Sequence, residues 1–424
     1  KTSPNFDRLA AEGALFTQAR VASTWTKPST ATILTGLPPT AHGAIEHRQI
    51  LPDAAVTLAE VLRSAGYDTA AFSDNPFVSP EFGFGQGFDD YDYQQPSVFV
   101  NGTLLGKALW TLRVVSLGGR LVGDNLAADR GSPELCRRAL DWIDDRGADR
   151  PWFAYVHAME PHLPYDPPVP YRGTFSDPEY DGPDLDRPPP FLGFLPFERG
   201  TALPDDRRRH LLARYDEEIL AWDAAFAGLI GELRRRKLLE NTILVVLSDH
   251  GEEFHEHGGW THGHSLYDEL LRVPLFLRAP GVSPAVVDAP VRAADLFPTV
   301  LSLAGVLPAE VPPFGIDLAA RIAGRGERSP PVAAEVRIGG VGAESVVHDG
   351  KKLVIARRGS STVVECFDLV ADPRERNPLA DPPWRPVLER LIEAARAAAS
   401  LHALEASERE ISPQEADALK GLGY

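Results

Sequence analysis

The chain has 424 residues, 43% hydrophobic and 24% charged, with a formal net charge of −17, which fits a water-soluble globular protein of two or three domains. The acidic balance argues against nucleic acid or an anionic membrane surface as a general partner, but not against an anionic substrate held beside a metal ion. No apolar run approaches the roughly 18 residues that span a bilayer, no basic-then-apolar signal segment opens the chain, and Cys136 and Cys366 form neither a C-x-x-C pair nor a disulfide framework.

In chain order, residues 5–13 predict an amphipathic helix with Phe6, Leu9 and Ala10 on one face. Residues 56–66 predict a second helix ended by Gly66, and residues 69–73 a short apolar strand. Residues 132–147 read as a helix with Ser132 as N-cap, and residues 152–157 as a buried strand. Residues 166–205 are rich in Pro, Gly, Asp and Phe and show no period, so they read as a long loop or lid. Residues 207–237 predict a long helix leading into T-I-L-V-V-L, residues 242–247, whose six apolar or β-branched residues suit a central parallel strand.

Strands alternating with helices imply an α/β fold: a large, doubly wound, mostly parallel sheet with helices on both faces. After about residue 325 the pattern changes. Residues 345–347, 352–355 and 363–369 read as short strands, with a hairpin signal at Asp349-Gly350. Residues 386–402 predict a helix. The expected division is a catalytic unit over 1–325 and a small α+β unit over 326–424, packed on the first.

The strongest chemical feature is S-D-H-G-E-E, residues 248–253, directly after the best strand. Ligand sites of open α/β sheets lie at the carboxyl ends of strands. Asp249 and His250 are adjacent oxygen and imidazole groups suited to a divalent cation, and Gly251 allows a tight turn. An ordinary polar turn would explain D-H-G alone. It does not explain His255, His257, His262 and His264, four of the twelve histidines within ten positions. His262 and His264 flank one glycine, so both could face one site; His255 and His257 are weaker candidates.

These motifs, with Y-D-E-L-L-R-V-P-L (267–275), Pro280-Gly281 and D-L-F-P-T-V-L-S-L-A-G (295–305), resemble the sulfatase branch of the alkaline-phosphatase superfamily. S-P-N-F-D-R-L-A-A-E-G (3–13), L-T-G (34–36) and F-D-L-V-A-D-P-R-E-R-N-P-L-A (367–380) match it in the same order. The resemblance implies an alkaline-phosphatase-like fold, a divalent metal held by Asp249 and His250, and ester hydrolysis. It also implies that His162, in F-A-Y-V-H-A-M-E-P-H-L-P-Y (153–165), protonates the leaving group. His157 is the second candidate there, and it also counts among the substrate-binding residues.

Three departures qualify the match. Where sulfatases carry C/S-x-P-x-R, this chain has T-K-P-S-T, so Thr26 holds the nucleophile position and Thr30 the arginine position. Formylglycine is therefore not expected. A metal-bound threonine, as in relatives that attack phosphorus, is the implied alternative, so Thr26 counts as both nucleophile and metal ligand. The bland reading makes Thr26 the N-cap of the next helix. Second, the lysine–histidine pair that follows the G-Y-x-T strand in sulfatases is missing; Ser73, Asp74, Asn75 and Pro76 stand there, leaving Asn75 as a substrate hydrogen-bond donor. Third, the family begins with a strand ending in an Asp-rich motif ahead of the segment matched by Lys1 to Gly13. The expectation is a fragment lacking that strand and at least one metal carboxylate; the alternative is an inactive relative.

The site expected from sequence is thus Thr26, His162 and His264 for catalysis, Asn75, His157 and His262 for substrate, and Asp249, His250 and Thr26 for metal. The divalent metal could be Ca, Mg, Mn or Zn, and Mn or Zn suits the mixed ligands somewhat better than Ca. The leading function is phosphoester hydrolysis or transfer on a small-molecule, lipid or glycan ester. The alternatives are a true sulfuric ester hydrolase and a non-catalytic relative acting as a binding module. Compartment is open, and membrane association through a missing N-terminal segment is compatible with the resemblance.

Overall fold

The computed structural model describes residues 1–94, 131–147, 149–183, 186–191, 193–306, 312–325 and 329–412, together with Leu419. Helix α1 (Pro4–Ala10) and strand β1 (Ala14–Phe16) open the chain, followed by helices α2 (Thr26–Thr35) and α3 (Leu58–Ser64). Next come strands β2 (Asp68–Ser73) and β3 (Asp90–Tyr93), helix α4 (Ser132–Asp145), strand β4 (Trp152–His157) and the long helix α5 (Asp205–Arg235). Strands β5 (Leu244–Leu247), β6 (Leu275–Arg278) and β7 (Ala285–Val287) and helix α6 (Leu296–Leu303) complete this part.

Strand β2 lies between β3 and β4, all three parallel, with Ser73 opposite both Tyr93 and His157. The two-residue period of a strand sends alternate side chains to opposite faces. Ala70 and Phe72 therefore pack on Leu135 and Ala139 of α4, while Ala71 packs on Ala59 of α3. Ala154 and Val156 of β4 join the first layer, Phe153 and Tyr155 the second. The sheet is covered by helices on both sides, as the alternating pattern requires.

A second sheet has the order β7-β1-β6-β5, with β1 parallel to β7 but antiparallel to β6. The run expected as a central parallel strand is β5, and its neighbour β6 is antiparallel, with Leu275 opposite Leu247. All four β5 residues are half-buried because the far side of the strand opens on a cavity of about 1480 Å³. The long walls of this cavity are β4 and β5. Among the described residues neither strand has a partner on that side.

Helix starts follow local chemistry. Thr57 caps α3, accepting from the backbone N–H of Glu60, whose carboxylate accepts from that of Thr57. Helix α1 is capped from a distance: the buried Asp223 of α5 accepts from the backbone N–H groups of Asn5 and Phe6 at 3.0 and 2.7 Å. Ser132 is not an N-cap. Gly131, at φ +81°, takes that position, and the Ser132 hydroxyl instead donates to Glu160 at 2.6 Å. The described parts of residues 166–204 carry no regular structure, yet they are packed. Glu217 of α5 accepts from the backbone N–H groups of Phe175 and Ser176 and from the Ser176 hydroxyl, and Phe194 and Leu195 enter the main core.

The last part is an antiparallel meander of β8 (Val332–Ile338), β9 (Val341–His348), β10 (Lys351–Arg358) and β11 (Ser361–Asp368), followed by helix α7 (Arg385–Leu401). Asp349 and Gly350 turn the β9–β10 hairpin with φ of +50° and +70°, the conformation their identities suggest. One face of the meander, with Val346, Leu353 and Cys366, packs on Leu388 and Ile392 of α7. The other contributes Val336, Val354 and Phe367 to the main core. The two expected units thus share a core. Among the described residues no helix is long and apolar enough to cross a membrane.

A buried ion cluster joins the same two parts. Arg20 and Lys352 both reach Asp268, at 2.5 and 3.1 Å, and Lys352 reaches Glu375 at 2.6 Å. Burial opposes ionisation of Asp268, but Lys352 and Arg20 hold its carboxyl well below the usual range. Lys352→Met would leave Glu375 buried without its cation and is expected to destabilise the protein by about 3–5 kcal/mol in urea unfolding. A loss under ~1 kcal/mol would show that the cluster contributes little.

Glu218 of α5 gives a pH test. Burial, reinforced by Glu160 and opposed by Arg214, pushes its carboxyl up to about 8 from an ordinary 4.5. A raised folded-state value means a contribution fully present below pH ~4.5 and lost as pH rises through about 8. Stability should therefore decline between those limits. Glu218→Gln should flatten the decline by at least ~1 kcal/mol, read from melts at pH 5 and 9.

Candidate active site

Helix α2 starts beneath the ends of β4 and β5. Trp25, in extended conformation, is its N-cap residue and Thr26 its first helical residue, so Thr26 is not the cap itself. All ten helix residues are buried. Two contacts fix this start. Ser29 donates to the backbone carbonyl of Asp249, and Lys27, fully buried, donates to the carbonyls of Glu46, His47 and Gln49 at 2.6, 2.9 and 2.5 Å. Lys27 thus secures the adjacent loop, and Thr26 meets the strand ends together with Ser29.

Thr26 Oγ1 lies 3.2 Å from His250 Nε2. The other ring nitrogen of His250, Nδ1, lies 2.8 Å from the carbonyl oxygen of Gly251. A carbonyl only accepts, which assigns the proton to Nδ1 and leaves Nε2 to accept from the Thr26 hydroxyl. Asp249 Oδ1 accepts from the His250 backbone N–H at 3.0 Å; Oδ2 is buried with no hydrogen-bond partner among the described residues, 3.7 Å from His250 Nε2. Burial alone would raise the Asp249 carboxyl, but the surrounding imidazoles, His250 and His157 foremost, hold it below the usual range.

The turn that brings these groups together depends on Gly251 for close approach, not for a positive φ. A Cβ there would lie 1.9 Å from the carbonyl oxygen of Glu269. The tight turn expected at this glycine is therefore a packing constraint between two backbones.

The remaining expected residues divide into two groups. Asn75, His157 and His162 line the same cavity as Thr26, Asp249 and His250. His157 Nδ1 pairs with the Tyr155 hydroxyl at 2.9 Å, and burial lowers its affinity for a proton. His162 Nδ1 donates to the Leu163 carbonyl at 2.8 Å, and burial, helped by His262, pushes it down to about 4. Asn75 Oδ1 accepts from the Phe77 backbone, and its Nδ2 meets Met159 Sδ at 3.4 Å.

His262 belongs to this group through its ring, 4.2 Å from His250 and 5.0 Å from His162 between centroids. Its Nδ1 donates to Glu252 at 2.9 Å. His264 turns elsewhere. Gly263, at φ +81°, separates the two, and His264 Nε2 pairs with buried Glu253 at 2.7 Å while its ring packs on Phe191. His255 packs on Trp260, and His257 stacks on Tyr267 with both ring nitrogens engaged, by Glu269 and by the Glu375 carbonyl. The histidine enrichment thus serves two ends, a site and the loop that supports it. Glu252, Tyr155 and Tyr165 were missed; Glu252 lies inside the S-D-H-G-E-E motif but carries no sign of its partner.

These residues fit a divalent cation. Asp249 supplies a carboxylate with a buried oxygen that no described group engages, 3.7 Å from His250 Nε2, whose lone pair the Gly251 contact frees and which the Thr26 hydroxyl meets at 3.2 Å. Ligand-type atoms of Glu253, His257 and Glu269 also lie within 4.8 Å of one another. That group is already knit by hydrogen bonds, with Glu253 accepting from the backbone N–H groups of His257 and Gly259.

Residues 1–306 match the family model described as Sulfatase. A choline-sulfatase of Rhizobium meliloti (strain 1021) is 28% identical over 440 residues, covering 94% of this chain and 82% of the relative. The uncharacterized sulfatase YidJ of Escherichia coli (strain K12) is 27% identical over 325 residues; the match covers 73% of this chain and 64% of YidJ, less than two thirds of its length. Among solved structures, phosphonate monoester hydrolase of Agrobacterium radiobacter superposes with a TM-score of 0.72 at 20% identity, covering 96% of this chain and 95% of the other. The enzyme of the same name from Silicibacter pomeroyi gives 0.69 at 20% identity, covering 96% and 94%. At such identities the superpositions show the fold.

Gly251→Ala should force the Asp249–His250 turn off Glu269. The expected cost is about 1–3 kcal/mol, with weakened Mn²⁺ binding, read by urea unfolding and calorimetric titration. Unchanged stability and binding would show that the turn relaxes freely.

Proposed function

The chain belongs to the sulfatase family of ester hydrolases, and within it we propose that this protein is a metal-dependent phosphoester hydrolase or transferase with Thr26 as nucleophile. The observation that carries this reading is the Thr26 hydroxyl at the start of buried helix α2, 3.2 Å from the acceptor nitrogen of His250 and beside the orphaned Asp249 carboxylate. No cysteine or serine stands at that position to supply a formylglycine.

Asp249, His250 and Thr26 would hold the cation, which, when bound, makes a hydroxyl a competent nucleophile and offsets charge developing on the ester oxygens. The residues of the chain do the rest. The N-terminus of α2 favours an anionic ester at Thr26. Thr26, its hydroxyl proton lost to solvent, forms through Oγ the new bond to phosphorus as the bond to the leaving alcohol oxygen breaks in line, and water or an acceptor alcohol then displaces Thr26 Oγ from phosphorus. His162, on the cavity wall, is assigned the proton for that oxygen; an anionic ester beside it would raise its low basicity. Asn75 and His157 line the wall where the ester oxygens would lie. His264, held by Glu253, shapes the loop instead of meeting the ester.

Sulfuric ester hydrolysis is the second reading, favoured by the match to a choline-sulfatase along 94% of the chain. One experiment separates the two. The full-length protein is assayed on bis-p-nitrophenyl phosphate, p-nitrophenyl phosphate and p-nitrophenyl sulfate with Mn²⁺, Zn²⁺, Ca²⁺ or Mg²⁺ and an EDTA control. Metal-dependent phosphoester turnover that falls by about 10³-fold or more in Thr26→Ala is expected. Sulfate turnover that survives Thr26→Ala would overturn the assignment.

A further inference from the structure

Three clustered imidazoles, His162, His250 and His262, are each anchored through Nδ1, but not in the same way. Backbone carbonyls hold the first two, those of Leu163 and Gly251. His262 is held by a side chain, Glu252 Oε1 at 2.9 Å. The second oxygen of that carboxylate, Oε2, accepts from the Tyr165 hydroxyl at 2.8 Å. Tyr165 is fully buried, and its ring packs against Phe254 and Tyr215. A rigid wall therefore holds Tyr165, Tyr165 holds Glu252, and Glu252 holds His262.

Two further observations set this chain of contacts apart from ordinary packing. A carboxylate withdrawn from water is costly unless its hydrogen bonds are made, and this one spends both oxygens on orienting other side chains. The imidazole it holds is the one that bridges the other two: His262 lies 4.2 Å from His250 and 5.0 Å from His162, while His250 in turn meets Thr26 Oγ1. Donation from Nδ1 to a carboxylate fixes the ring tautomer, so Nε2 carries the lone pair.

We propose that Glu252 is a positioning residue of the hydrolytic site, acting through His262, whose ring angle and tautomer it fixes beside His250 and Thr26. Tyr165 is the second member of the same relay. This rests on the reading of Thr26 as nucleophile, and it adds a residue that the metal and nucleophile assignments do not require.

The test is a double-mutant cycle on bis-p-nitrophenyl phosphate with Mn²⁺, with Thr26→Ala run alongside. Glu252→Gln is isosteric and should lose about 10–100-fold in kcat with KM little changed. In the His262→Ala background the same substitution should cost nothing more, because its only route is gone. Tyr165→Phe should give a smaller loss that also disappears in that background. Additive losses would mean that Glu252 acts independently of His262, and the proposal would fail. Thr26→Ala keeps the two ideas apart: if it is inactive while Glu252→Gln and His262→Ala are fully active, the nucleophile stands and the relay falls. A second readout needs no turnover. With isotope-labelled histidine, the long-range proton–nitrogen correlation spectrum should show His262 as the Nδ1–H tautomer in the native protein and a changed tautomer ratio in Glu252→Gln. An unchanged spectrum would overturn the proposal.

Discussion

The site rests on a contact between two pieces of backbone. The turn after β5 passes so close to Glu269 that only hydrogen fits on Gly251, and its N–H donates to the Leu270 carbonyl at 2.9 Å. That contact sets the direction of Asp249 and His250. Ser29 then ties the Asp249 carbonyl to α2, so helix and turn are registered against each other and Thr26 meets His250. Glu269 belongs to the same segment as Asp268, which Arg20 and Lys352 hold in the buried ion cluster. The Asp249–His250 turn, helix α2 and the C-terminal meander are therefore positioned by one continuous set of contacts.

Glu375 shows how far those contacts reach. It adopts φ +54°, uncommon for a residue with a side chain, and its atoms serve three partners. One carboxylate oxygen pairs with Lys352, the other accepts from the Asp268 backbone N–H, and its carbonyl meets His257 Nε2. The small unit is thus part of the support for the histidine-rich loop. This gives a physical reason for the D-P-R-E-R-N-P segment that sequence analysis matched only as a resemblance.

Much of the fold was legible because its signals are local. The strand over 152–157 and the Asp349-Gly350 hairpin follow from periodicity and turn chemistry, and both lie where they were expected. What was illegible depends on partners distant in sequence. Ser132 has the chemistry of a cap, but Glu160, 28 residues away, takes its hydroxyl and Gly131 supplies the conformation. Strand β8 buries Val332, Ala334 and Val336, and the small central residue hides its alternation. The antiparallel neighbour of β5 is a choice of topology that no run of apolar residues encodes. In the site, Thr26, Asp249 and His250 could be singled out by motif and they do meet. The different fates of His262 and His264 could not be foreseen, because they turn on Glu252 and Glu253, adjacent acids of identical chemistry.

Those adjacent acids also explain how so many titratable groups share one buried region. Carboxylates and imidazoles taken from water singly would each favour the neutral form. Here the assignments are split by partner. Glu253 accepts two backbone N–H groups as well as His264, which holds it below the usual carboxylate range despite its burial. Glu252, with a tyrosine hydroxyl and one imidazole, is raised by its burial. Asp249 stays ionised with one oxygen uncommitted. The result is a gradient across a few residues, from a carboxylate satisfied by the loop it braces to one with an oxygen that no described group engages. Thr26 lies at the uncommitted end of that gradient, where the proposed cation would favour loss of its hydroxyl proton.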